Sequence, residues 1–108
     1  MLFRSRAVMD DAGKPDFPYL VWRVGDAFIV ALPGEAHSPF QIGLRQRFPD
    51  HAIAVLNITN GYRSYLPPRA AYDLNTYQAQ VAIYAQGAAE KLLDSVTRTI
   101  TDLLDTAN

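Results

Sequence analysis

The stretch Ala27-Phe-Ile-Val-Ala-Leu-Pro-Gly-Glu-Ala-His-Ser-Pro-Phe-Gln-Ile-Gly-Leu-Arg-Gln-Arg-Phe-Pro-Asp-His-Ala-Ile-Ala-Val-Leu-Asn-Ile58 decides the fold. Its first six residues form an uninterrupted apolar run rich in β-branched and aromatic side chains, the pattern of a strand covered on both faces. Ser38-Pro39-Phe40-Gln41 then has the form of a capping box, with Ser38 as N-cap, Pro39 at the first helical position and Gln41 reaching back. Phe40, Leu44 and Phe48 repeat on one helical stripe that stops at Pro49. Residues 52 to 58 make another apolar run. Strand, helix and strand within about 30 residues are a βαβ unit, whose crossover places the two strands parallel.

Upstream, Tyr19-Leu20-Val21-Trp22-Arg23-Val24 is aromatic and β-branched and is joined to Ala27 by Gly25-Asp26, which predicts a hairpin. On that strand Trp22 alternates with Leu20 and Val24, which points to a core face. Residues 1–18 are expected to be a short helical remnant, Leu2 to Met9, followed by a loop at Asp10 to Pro18 broken by Gly13, Pro15 and Pro18. From Gly87 onward Ala89, Leu92, Leu93, Val96, Ile100, Leu103 and Leu104 share one helical stripe, with Asp94 and Arg98 spaced to pair on the outside. The expected fold class is α/β. Residues 19–108 form one domain, a small mixed sheet made of a hairpin and a βαβ unit, with a capped crossover helix and a long amphipathic C-terminal helix.

The bulk numbers narrow the function. With 108 residues, 49% hydrophobic and 19% charged, the chain has globular composition and supports one modest core. A net charge of −1 gives no electrostatic footprint for nucleic acid. Cysteine is absent, which removes disulfides and thiolate metal ligands, and no apolar run approaches the length of a membrane span. A soluble chain is expected, with its compartment left open. One apolar strand needs cover on both faces while only two substantial helices are predicted. An apolar patch is therefore expected, meeting either a missing N-terminal catalytic region or a second copy in a homo-oligomer.

Two loops leave the carboxyl ends of the parallel strands, where α/β sheets bind ligands. The first carries Glu35 and the second carries Asn60-Gly61-Tyr62-Arg63-Ser64-Tyr65. Gly25-Asp26 through Pro33-Gly34-Glu35 resembles the GD-x5-7-PGE segment of neutral/alkaline ceramidases, and Asn60 to Tyr65 followed by Tyr72 and Tyr77 resembles that family's NxYxxY…Y…Y segment. The resemblance runs from about Trp22 to the C-terminal helix. It implies a zinc-dependent amidase in which Glu35 and Tyr65 are metal ligands, Tyr77 donates to the amide oxyanion, and Asn60 and Tyr62 contact substrate. Zinc in such a site brings the pKa of its water to about 7, so that hydroxide attacks the amide.

The family's two upstream histidine ligands have no counterpart here, so tight zinc binding and activity are not expected of this chain alone. Gln78 stands where the family commonly has an acid, and Pro67-Pro68 where it often has threonines. These departures detach the sphingolipid substrate from the resemblance. Among other candidates, His37 is expected at the residue before the helix cap and not as a ligand, His51 on the surface at the far edge of the sheet, and Tyr72 and Tyr84 as packing residues. Two functions stay open: a C-terminal fragment of a zinc-dependent amidase, or a stand-alone α/β binding or interaction domain without catalysis.

Overall fold

The computed structural model describes residues 2–9, 15–59, 65–66, 68–74, 76 and 87–106. Strands β1 (Leu2–Met9), β2 (Pro15–Val24), β3 (Ala27–Ala31) and β5 (Ile53–Leu56) form a sheet in the order β1-β2-β3-β5. Two short strands, β4 (Glu35–Ala36) and β6 (Tyr65–Leu66), pair separately. Helix α1 (Ser38–Arg47) connects β4 to β5, α2 (Arg69–Asp73) is a single turn, and α3 (Ala88–Thr106) closes the chain. The α/β fold with a mixed sheet and a long C-terminal helix is as the apolar periodicities require.

The hairpin forms at Gly25-Asp26, where Val24 faces Ala27 across a two-residue loop. Gly25 has φ +62°, while Asp26 is not in the positive region, the sign pattern of a type II′ turn matched to strand twist. β3 then pairs in parallel with β5, Phe28 opposite Ile53 and Ala31 opposite Leu56, and α1 is the crossover. Cross-strand partners share a face. Val21 and Val30 therefore line one side with Tyr19, Phe28 and Ile53, and all five are buried. Phe40 and Leu44 of α1 and Leu92, Val96 and Ile100 of α3 pack into this same cluster.

The opposite side carries Leu20, Trp22, Val24, Ile29 and Leu56, which range from half-buried to exposed. Trp22 thus lies outside the helix-covered core, contrary to its expected place. Both sides of β2 are apolar, so alternation alone cannot choose between them. Tyr19 faces the helices because its hydroxyl finds partners there, Ser95 Oγ at 2.6 Å and Thr99 Oγ1 at 3.1 Å.

Four local expectations change. Leu2–Met9 is a strand and no helical remnant, pairing antiparallel with β2 along its length, from Leu2 opposite Arg23 to Met9 opposite Pro15. Eight residues cannot hold a helix alone, whereas a neighbouring strand satisfies their backbone groups. β2 starts within the expected loop: Pro15 and Pro18 precede Leu20, the first residue to pair with β3, so their missing donors fall where β2 has one neighbour.

The N-cap of α1 is His37, not Ser38, and no side chain makes a cap hydrogen bond. Phe40 N–H instead donates to the His37 carbonyl at 3.0 Å, and Pro39 has no donor to satisfy, so the capping box is not needed. On α3, Asp94 turns to Arg47 of α1 at 3.1 Å in place of Arg98. No helix among the described residues is long and apolar enough to cross a membrane.

Candidate functional site

Because β3 and β5 are parallel, the chain leaves both at the same edge of the sheet. Three backbone hydrogen bonds tie the exits together. Leu32 N–H donates to the Leu56 carbonyl at 2.8 Å, Thr59 N–H to Leu32 at 2.8 Å and Ile58 N–H to Gly34 at 3.1 Å. Pro33 and Gly34 are buried beneath this junction. Ile58 has φ +55°, a left-handed conformation that costs a β-branched residue about 1–2 kcal/mol. The two hydrogen bonds from Ile58 and Thr59 hold it there and fix how the chain enters residue 60.

β4 and β6 follow from this junction. They pair in parallel with Glu35 opposite Tyr65 and Ala36 opposite Leu66, which makes two residues thirty positions apart immediate neighbours. Adjacent strands run about 4.8 Å apart, so the two backbones are in direct contact. Glu35 is half-buried. Of the other expected site residues, Asn60, Tyr62 and Tyr77 lie outside the described residues, as does Gln78.

The histidines separate. His51 is at the far edge of the sheet, where Phe28 N–H reaches the Ala52 carbonyl; its Nδ1 donates to the Asp26 carbonyl at 2.7 Å and its ring meets Phe28 edge-on. His37 stays near the junction, two residues after Glu35, half-buried at the start of α1.

One feature went unread in the sequence. His37, Pro39 and Phe40 form one wall of a cleft of about 100 Å³, with Ala89, Glu90 and Leu93 of α3 opposite and Pro68 beside them. The Glu90 carboxylate accepts the Arg69 N–H at 3.2 Å, which joins the first turn of α3 to α2. The cleft arises because the starts of two helices distant in sequence meet beyond the ends of β4 and β6, and no local pattern announces such a meeting.

A carboxylate and a phenolate are both hard oxygen donors, the kind that the ceramidase resemblance implies at Glu35 and Tyr65. Among the described residues no three His, Cys, Asp or Glu side chains converge to hold a metal by themselves. Comparison of the chain with protein-family models, with curated proteins and with solved structures gives no match in any of the three.

Proposed function

We propose that this chain carries part of a zinc-dependent amidase site, with Glu35 and Tyr65 as two of the metal's protein ligands. The observation that supports this is the register of β4 and β6, in which Glu35 stands opposite Tyr65 just beyond the exits of the parallel strands β3 and β5. Zinc bound there would supply Lewis acidity and an acidified water. The Glu35 carboxylate offsets the metal's charge and orients it. Tyr77 donates its phenolic proton as a hydrogen bond to the developing amide oxyanion, and Asn60 and Tyr62 hold the substrate. Catalytic zinc sites normally use three protein ligands, so a further donor must come from an N-terminal catalytic region or from a partner.

Zinc titration followed on the backbone signals of Ala36 and His37 tests the reading. The chain should bind zinc weakly, and Glu35→Ala should weaken it by at least the roughly ten-fold that even outer-shell changes cost. Tight binding that survives Glu35→Ala would remove the assignment.

A second reading, a non-catalytic binding or interaction domain, is favoured by the apolar face bearing Leu20, Trp22, Ile29 and Leu56. On that reading the face meets an N-terminal region or a second copy, and Glu35→Ala leaves association unchanged.

A further inference from the structure

We infer that the cleft between the starts of α1 and α3 is a substrate subsite for a compact apolar group, smaller than a phenyl ring, carried by an amide. That the ligand is an amide rests on the amidase reading; its size and polarity rest on the cleft alone.

Continuity is the first argument. His37 follows Glu35 by two residues and Pro68 follows Tyr65 by three, so the chain segments that carry the neighbouring pair run on to line the cleft. A molecule held at Glu35 and Tyr65 has this recess next to it. The second argument is chemical: Pro39, Phe40, Pro68, Ala89 and Leu93 are apolar, and only His37 and Glu90 add polar groups. Glu90 is exposed and engaged by Arg69 N–H, which leaves the apolar lining to take the ligand.

Volume then selects the ligand. The recess holds about 100 Å³, less than the dry cavity of about 150 Å³ that binds benzene. A branched group of three or four carbons fills it, and because the cleft is open on one side the remainder of a long acyl chain would lie outside it in solvent. The cleft therefore favours short-chain or branched amides over lipid amides.

The test uses the ¹⁵N-labelled chain and isobutyramide as probe, with octanamide for comparison. Isobutyramide should move the amide signals of Phe40, Ala89 and Leu93 along a saturable curve. Ala89→Leu, which fills the recess, and His37→Trp, which obstructs it from the other wall, should each weaken that binding about ten-fold. Unchanged signals from Val21 and Val30 show that each variant remains folded. No saturation, tighter binding of octanamide at the same signals, or unaltered affinity in the folded variants overturns the subsite.

Zinc added to the same sample reads the metal proposal separately. Isobutyramide binding without a zinc response at Ala36 removes the amidase reading and leaves the cleft. A zinc response without isobutyramide binding removes the cleft alone.

Discussion

At Ile58 and Gly87 the backbone takes the same unusual sign of φ, +55° and +96°, with opposite consequences for substitution. Ile58 is strained, and its side chain is 52% exposed, so little apolar burial offsets the strain. Ile58→Asn, which tolerates the left-handed region, should raise stability by about 1 kcal/mol, measured as a higher urea midpoint. Gly87 stands before α3, its carbonyl accepting Lys91 N–H at 3.1 Å. A Cβ there would come within 2.6 Å of the Arg69 guanidinium. The guanidinium ends a flexible side chain and can swing aside, so it is the positive φ that should make Gly87→Ala lower stability by about 1–2 kcal/mol in the same assay. Neither effect was legible in the sequence. Gly87 reads there as the residue before a helix and Ile58 as the end of a strand, because φ at each is set by the junction it closes.

Between elements, the contact of α1 with α3 shows which interactions hold the two helices together. Arg47 Nη1 donates to Asp94 Oδ1 at 3.1 Å and Thr97 Oγ1 at 2.8 Å, yet the Arg47 side chain is 38% exposed and Asp94 is 61% exposed. Such a pair contributes about 0.2–1 kcal/mol. Leu44, wholly buried in the same contact, should cost about 2–5 kcal/mol when cut to alanine. Arg47→Ala should thus leave the denaturation midpoint nearly in place while Leu44→Ala shifts it far down. Strand, helix and strand from Ala27 to Ile58 were legible because each is a local periodicity. The pairing of β4 with β6 was foreseen only as two loops leaving one rim, since two-residue strands have no pattern. That pairing can be tested directly, as the chain has no cysteine. Parallel neighbours about 4.8 Å apart fall inside the disulfide window, so Glu35→Cys with Tyr65→Cys should oxidise to an intramolecular cross-link, seen as faster migration without reductant. A chain that stays reduced would remove the register and the metal reading with it.

For the molecule as a whole, the sheet has two apolar faces and both long helices pack on one of them. The expectation of a strand needing cover on two sides is legible in Ala27 to Leu32, where every residue is apolar. Which side the helices take is not, because Tyr19 and Val21 compete with Leu20, Trp22 and Val24 on equal hydrophobic terms; the choice follows from the Tyr19 hydroxyl meeting Ser95 and Thr99. The two faces should therefore answer a charge differently. Val21→Lys places an ammonium where the native side chain is 0% exposed, with no anionic partner among the core residues around it, and should unfold the chain. Val24→Lys and Leu56→Lys alter side chains that are 48% and 45% exposed and should each cost less than about 1 kcal/mol. Light scattering across a concentration series then reads what the second face does. If it joins copies of this chain, the mass of the wild type rises with concentration and Leu56→Lys holds it at the monomer; a wild type that stays monomeric throughout removes self-association and leaves a different partner as the face's occupant.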